Sequence, residues 1–340
     1  MHKLSAEVFL GCGIDVGASQ LVVALEGEGS RRLQRSFLNS SSGHQALILW
    51  LQKSGTPVRV CLEATGLYSL DLALALHAAT GIEVAVLNPK LVNRFAATLC
   101  RSKTDPADAQ VLAEYARRMP FQAWHPPQAV ALELRTLTRH IAALTQQHTQ
   151  QSNRLHAASA SITGSRYVQQ DLKHSLRDLK RRMAKMRNQA LALIEQEGDL
   201  RSRFTLLLSI PGIGEISALN LLGELALLAP GLTVRQWVAH SGLDPAHHVS
   251  GTSVHQRSRI SRAGNRYLRR ALYMPALVAV RHDPCLRAFY QVLLARHKAK
   301  LQAIIAVARK MLHAIFGMFR CRTGYDGSRL FPTLELTSAA

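Results

Sequence analysis

Four carboxylates in the first third of the chain have types and spacings that could hold a divalent cation. Asp15 follows an apolar run, Glu63 follows Val60-Cys61-Leu62, and Asp105 and Asp108 stand three apart at the start of a helical stretch. Spacing of three puts the last two on one helical face. Four hard oxygen donors suit Mg²⁺ or Mn²⁺ rather than zinc. Two such ions, ~4 Å apart, could polarise a phosphodiester and stabilise the attacking and leaving oxygens. Each acid also has a plainer reading. Asp105-Pro106-Ala107-Asp108 is a good helix start, with Asp105 as N-cap and Pro106 at the first position. Asp15 precedes a Gly turn, and Glu63 precedes Ala64-Thr65-Gly66 and could be a loop acid. The constellation carries more than its parts, because Glu is disfavoured at a strand end without a reason.

Two further segments have chemical potential. Ile210-Pro211-Gly212-Ile213-Gly214 lies between helical segments, as in a helix-hairpin-helix. Glycines such as Gly212 and Gly214 let a backbone turn tightly and approach a phosphate with its N–H groups. A plain helix–helix turn is the alternative. Later come Ser241-Gly242-Leu243-Asp244-Pro245 and His247-His248-Val249-Ser250-Gly251-Thr252-Ser253, followed by six arginines between Arg257 and Arg270. A hydroxyl beside a glycine in an arginine field could attack phosphorus, since cations stabilise the developing charge. By composition alone most Ser-Gly pairs are turns.

The elements that must position these residues follow from patterning. Residues 8–16 predict a buried strand, Leu21–Leu25 a second after the Gly17-Ala18-Ser19 turn, and Arg32–Leu38 a third. Short turns make these an antiparallel meander. His44–Gln52 predicts a helix, Val58–Leu62 a strand, Leu67–Ala79 a helix and Glu83–Leu87 a strand. A helix follows, and another runs from Asp105 to Arg118. The order βββαβαβαα indicates a mixed sheet covered by helices. The RNase H/RuvC fold uses that order, and the actin-like ATPase fold begins the same way. In an RNase H-like sheet the first and fourth strands are neighbours, which would bring Asp15 and Glu63 to one edge. Pro120, Pro126 and Pro127 mark a boundary. Beyond it Leu134, Leu137, Ile141, Leu144, His148, Gln151 and Leu155 repeat in steps of three and four, and so do Leu172, Leu176, Leu179, Met183, Met186, Ala190 and Leu193. Two heptad-like helices with a break around Ser159–Arg166 suggest a helical hairpin or coiled coil, weakened by His148 and Gln151, or an ordinary helix pair in a bundle. The expected class is thus α/β in front and all-α behind.

Charge follows the same division. Residues 1–125 carry 12 Lys/Arg against 10 Asp/Glu, whereas residues 126–340 carry 30 against 12, a balance of +18. A polycationic rear half gains affinity for nucleic acid by releasing counterions. Lys173, Arg177, Lys180, Arg181, Arg182, Lys185 and Arg187 crowd one helix, as a solvated face or as a contact for a phosphate backbone. The five cysteines form no close pair, so neither a disulfide framework nor a zinc site is expected. They read as small buried hydrophobes in a reducing compartment. No signal peptide and no charge-free apolar span is apparent, and the expected location is the bacterial cytoplasm, in association with the nucleoid.

Gly13-Ile14-Asp15-Val16, Leu62-Glu63-Ala64-Thr65-Gly66, Asn88-Pro89, Lys103-Thr104-Asp105-Pro106-Ala107-Asp108-Ala109, Ile210-Pro211-Gly212-Ile213-Gly214 and Arg269-Arg270-Ala271-Leu272-Tyr273-Met274-Pro275 together resemble, in order, the motifs of the IS110/IS1111 group of DEDD transposases. The resemblance runs from about residue 10 to about residue 320. It implies a RuvC-like catalytic domain over residues 1–125, a coiled-coil connector over 126–200, and a transposase domain with a helix-hairpin-helix over 201–330. It implies that Asp15, Glu63, Asp105 and Asp108 are a Mg²⁺-binding tetrad, with Mn²⁺ as the alternative ion. It implies that Ser250 is the nucleophile, with neighbouring Ser253 leaving that choice open, and Thr252 standing where serine is common. A guide (bridge) RNA, donor and target DNA and a homo-oligomer, dimer or tetramer, are the implied partners, without a membrane. Arg257, Arg259, Arg262, Arg269 and Arg270, with Gly212 and Gly214, are the expected nucleic-acid contacts. Three rivals remain: a hydrolytic RuvC-like nuclease of the junction-resolvase kind, a non-catalytic nucleic-acid scaffold, and an actin-like phosphotransferase. The last lacks a second glycine-rich phosphate loop.

Overall fold

A computed structural model of the chain describes residues 9–26, 32–64, 66, 68–99, 104–250 and 254–330. It divides into two compact units, Met1–Pro126 and Pro127–Ala340. The first holds β1 (Leu10–Val16), β2 (Gln20–Glu26), β3 (Arg32–Leu38), α1 (Ser41–Gln52), β4 (Val58–Glu63), α2 (Leu70–His77), β5 (Ile82–Leu87), α3 (Pro89–Leu99) and α4 (Asp105–Arg118). This is the order expected from patterning. Helix α2 starts later than Leu67, after the turn at Tyr68 and Ser69.

The five strands form one mixed sheet in the order β3-β2-β1-β4-β5. β1 pairs antiparallel with β2 and parallel with β4, and β4 pairs parallel with β5. Loop lengths account for this. The short turn after β1 can only reverse the chain, whereas parallel neighbours need a crossover, and α1 and α2 supply it. Side chains alternate across the sheet. Cys12, Ile14, Val60, Leu62 and Val84 pack on one face with Leu47 and Leu51 of α1 and Leu72 and Leu76 of α2. Cys61 and Ala85 face the other way, onto Val111, Leu112 and Tyr115 of α4.

Helix α4 lies unusually close to β1. A Cβ on Gly13 would collide with the Ala109 carbonyl oxygen and the Ala113 amide, and would stand 2.7 Å from the Leu112 carbonyl carbon. Glycine at this position is what lets the two backbones meet. At its far end α4 is held by charge. Buried Glu26 pairs with Arg32 at 2.6 Å and Arg117 at 3.1 Å, and buried Glu114 pairs with Arg32 at 3.0 Å and Arg118 at 2.6 Å.

In the second unit α5 (Ala129–Ala160) and α6 (Arg166–Gln196) pack along each other as a long hairpin. Its buried positions are Leu134, Ile141 and Leu144 on α5 and Leu172, Leu179, Ala190 and Ile194 on α6. Further along α5 the seam turns polar: His148 Nε2 and Gln151 Oε1 are buried with no hydrogen-bond partner among the described residues. The base of the hairpin joins a larger core with α7 (Gly198–Leu208), α8 (Glu215–Leu225), α9 (Val234–Ser241), α10 (Arg266–His282), α11 (Pro284–Ala295) and α12 (Lys300–Cys321). Between α9 and α10 an antiparallel pair, β6 (Pro245–Ser250) and β7 (Val254–Ile260), interrupts an otherwise helical unit. Patterning predicts no strand there.

Helix α12 is the one helix among the described residues long and apolar enough to cross a membrane by length and composition, but Arg309 and Lys310 lie within it, so it is not a charge-free span. Its buried residues, among them Ile304, Val307, Met311, Leu312 and Ile315, repeat at helical spacing and pack into the core. That accounts for its composition. Of the cysteines, Cys12 and Cys61 are buried as expected, while Cys285 is only partly buried and Cys321 is exposed; Cys100 lies outside the described residues.

Candidate active site

Parallel register brings the first two carboxylates together. Ile14 of β1 is paired with Leu62 of β4, so Asp15 and Glu63 each lie one residue beyond an in-register pair on neighbouring strands. Alternation puts both on the face opposite Ile14 and Leu62, the face that α4 covers. The direction of α4 supplies the other two. Arg117 and Ala113 lie against Gly11, and Ala113 and Ala109 against Gly13. The next residue in this i, i+4 row is Asp105, and the next position on that face of β1 is Asp15. Asp108 stands on the adjacent row, one turn before Leu112.

The N-cap of α4 is Thr104, whose hydroxyl accepts from the Ala107 amide, while Asp105 and Pro106 occupy the first helical positions. The reading of Asp105 as the cap is therefore corrected: a threonine one residue earlier satisfies the helix end. Among the described residues no three His, Cys, Asp or Glu side chains gather closely enough to form a finished metal cage. Asp15, Glu63, Asp105 and Asp108 offer only carboxylate oxygens, a chemistry that suits a hard divalent cation and not a soft one. The thiol behind it is inert: burial pushes Cys61 up to about 12. Cys12 is raised as well, by burial first and then by Cys61.

Two residues without any sequence signature tie this edge together. The Asn39 side-chain amide donates to the Gly17 carbonyl at 2.8 Å and to the Tyr68 carbonyl at 3.2 Å. Gly17 belongs to the turn after Asp15, and Tyr68 to the loop after Glu63. Buried His44 fixes the amide from below, its Nε2 lying 2.8 Å from Asn39 Oδ1. Since the Asn39 carbonyl oxygen only accepts, the imidazole donates. Burial lowers the His44 pKa, and Asp71 pulls the other way. Asn39 thus braces both loops that follow the sheet-edge acids.

In the second unit the Pro211–Gly214 turn separates α7 from α8. Gly212 has φ 92°, and a Cβ there would stand 2.7 Å from the Pro275 carbonyl and 2.9 Å from the Ala279 amide of α10. Its glycine is thus explained by packing on α10, while Gly214 is exposed and starts α8. Ser241, the first serine before a glycine, is fully buried, and its hydroxyl donates to the Val238 carbonyl; it is no nucleophile. Ser250 is the last residue of β6. Gly251, Thr252 and Ser253 lie outside the described residues.

Of the arginines, Arg257 falls within β7. Arg259, Arg262 and Arg270 are exposed. Arg269 is half-buried and donates to the Ser241 and Gly264 carbonyls at 2.8 and 3.1 Å, locking the start of α10 to the end of α9. Beside it buried Glu224 takes a two-pronged pair from Arg139 at 2.7 and 2.9 Å and a bond from Asn265, the N-cap of α10. Sequence patterning had no signal for this hub, because an acid in an apolar helix can be recognised as structural only once its partners are known.

A transposase family model of the IS110 DEDD type matches residues 12–163, and one described as the transposase IS116/IS110/IS902 family matches residues 204–291. The pilin gene-inverting protein of Moraxella bovis is 30% identical over 302 residues, which cover 86% of this chain and 90% of the relative. The chain belongs to the IS110 family of transposases. The pilin gene-inverting protein of Moraxella lacunata shows the same identity and coverage. A 43.6 kDa protein of insertion element IS110 from Streptomyces coelicolor is 34% identical over 132 residues, 39% of this chain and 32% of the relative. As an IS110-family transposase the chain is an enzyme acting on DNA. The first family match contains all four carboxylates, and the second contains the Gly-rich turn, β6, β7 and α10.

Proposed function

We propose that this IS110-family protein is an RNA-guided DNA recombinase that cleaves and rejoins donor and target DNA through a serine nucleophile, with a RuvC-like first unit holding divalent metal. The observation that supports the reading is the register of β1 and β4, which sets Asp15 and Glu63 one residue beyond the Ile14–Leu62 pair, together with the row of α4 against Gly11 and Gly13 that runs on toward Asp105. Asp15, Glu63, Asp105 and Asp108 would hold Mg²⁺ or Mn²⁺. The ion, when bound, supplies charge neutralisation at the non-bridging phosphate oxygens.

Ser250 Oγ attacks phosphorus. A P–Oγ bond forms as one phosphoester P–O bond of the DNA breaks, and the departing oxygen leaves as a hydroxyl carrying the proton that serine gives up. One ester is exchanged for another, so rejoining needs no outside energy source. Arg257, Arg259, Arg262 and Arg270 lie on or just after the same hairpin and would offset charge on phosphate; Arg269 supports them by holding the start of α10. The Gly212–Gly214 turn is proposed as a helix-hairpin-helix in which exposed Gly214, rather than Gly212, approaches a backbone.

The basic side chains of α6, exposed from Lys173 to Arg187, suit an RNA or DNA backbone, with a guide RNA reading sequence by base pairing. Within the second unit we assign 126–200 as a coiled-coil connector and 201–330 as the transposase domain, assembled as a dimer or tetramer in the bacterial cytoplasm. The test is strand cleavage of a DNA carrying the ends of the element, with Mg²⁺ and RNA transcribed from the flanking DNA. Asp15→Asn and Glu63→Gln should each lower cleavage at least a hundredfold while DNA binding persists. Undiminished cleavage by either variant, or cleavage equally fast and site-specific without RNA, contradicts the reading.

A further inference from the structure

The carboxylate edge of the sheet carries a second feature, on the side of the sheet away from α4. The starts of α1 and α2, together with the turn after β1, enclose an open cavity of about 510 Å³ lined by Asn39, Ser40, Gln45, Ile48, Tyr68 and Asp71, among others. That volume falls within the roughly 300–1,000 Å³ of small-ligand pockets. Tyr68 is 57% exposed, although an aromatic of that size usually gains by burial. The core does not use it, and it borders the cavity.

The lining decides what chemistry fits. No lysine or arginine lines the cavity among the described residues, its histidine, His44, is engaged by Asn39, and Asp71 is an acid within it. A phosphate or another anion is therefore disfavoured. A flat, neutral group with N–H donors matches an exposed tyrosine ring, a carboxylate acceptor and the Gln45 amide. Position narrows the choice again. Tyr68 is five residues beyond Glu63, and Asn39 bonds its carbonyl together with that of Gly17, two residues beyond Asp15.

From these observations we infer that the cavity takes a single unstacked nucleobase of the DNA strand lying at the carboxylates, stacked on Tyr68, with its amino edge on Asp71 and Gln45. The inference rests on the reading of that sheet edge as the DNA-cleaving site. Enzymes that act within duplex DNA do extrude bases, and the penalty is least where pairing is already disturbed. Stacking on an aromatic ring is tolerant of sequence, and an acceptor such as Asp71 adds a preference for adenine, cytosine or guanine over thymine.

The experiment uses the full chain and element-end DNA with 2-aminopurine placed at successive positions around the cleaved phosphate. One position should brighten several-fold on binding. Tyr68→Ala should abolish the change at that position and weaken binding roughly five- to hundredfold, Tyr68→Phe should keep both, and Asp71→Asn should flatten the base preference there. Tyr68 is exposed, so its loss does not threaten folding. Formation of a complex on a native gel with no position brightening, or brightening unchanged in Tyr68→Ala, overturns the inference. Failure of the underlying reading looks different: Asp15→Asn would then cleave like the wild type, whatever the fluorescence does.

Discussion

At the scale of single residues, the arrangement depends on atoms that have no reactive chemistry. Gly13 carries no side chain, yet the space it leaves is where α4 crosses β1. Gly13→Ala must push the helix outward, at a cost of about 1–3 kcal/mol for overpacking, and it would move Asp105 and Asp108 away from Asp15. A displacement near 1 Å can cost a hundredfold in rate. Cleavage should therefore fall at least a hundredfold in a protein that still unfolds cooperatively in urea. Asn39→Ala makes a different prediction. It removes two donors from the loops beyond Asp15 and Glu63, each hydrogen bond being worth about 1 kcal/mol. Single-turnover cleavage should drop at least tenfold while DNA affinity, measured by gel shift, stays within threefold. The acids were legible from sequence because a charge at a strand end stands out against an apolar run. Asn39 and His44 were not, because an amide that bonds backbone carbonyls leaves no pattern along the chain. The helix cap is a related case: Thr104, one position before Asp105, is as good a cap, and only the structure shows which of the two takes the role.

At the scale of elements, most of the first unit follows from local rules. Short turns force the meander, helices force the parallel crossovers, and alternation then puts Asp15 and Glu63 on one face of adjacent strands. The β6–β7 pair did not follow, because Pro245–Ser250 and Val254–Ile260 lack an apolar alternation. In the second unit the decisive tie is polar. Glu224 of α8, buried to 4% exposure, joins Arg139 of α5 to Asn265 at the start of α10. Arg139→Met leaves that carboxylate buried with half its partners gone, and breaking such a pair costs roughly 3–5 kcal/mol. Thermal unfolding should shift down by several degrees, and the double variant Arg139→Met with Glu224→Leu should recover most of the loss. His240 lies in the same hub. Burial, and secondarily Arg139, lower its pKa, while Glu224 opposes them. Its neutral form is preferred in the folded chain, so the unfolded chain binds more protons once the pH drops below about 6.5. Stability should fall as the pH goes from 7 to 5, and His240→Gln should flatten that slope in urea titrations at a series of pH values.

At the scale of the whole molecule, charge divides the labour. A nearly neutral front carries the four carboxylates, and a rear half at +18 carries the arginine-rich hairpin and α6. If six or more phosphates are neutralised, affinity for DNA should fall on the order of a thousandfold between 50 and 200 mM salt. An exchange of Lys180, Arg181 and Lys185 for glutamine should reduce the steepness of that dependence without touching the carboxylate edge. The charge asymmetry was visible in the sequence from the start.

The proposed serine attack would join the protein covalently to DNA, and the proposed metal role would make that step depend on Asp15. The most direct measurement traps protein–DNA adducts on a denaturing gel, with Mg²⁺, element-end DNA and flank-encoded RNA, for wild type, Ser250→Ala and Asp15→Asn. The account predicts a covalent adduct in the wild type that disappears in both variants. Cleavage by Ser250→Ala at the wild-type rate, with no adduct in any sample, would contradict it and make water the nucleophile.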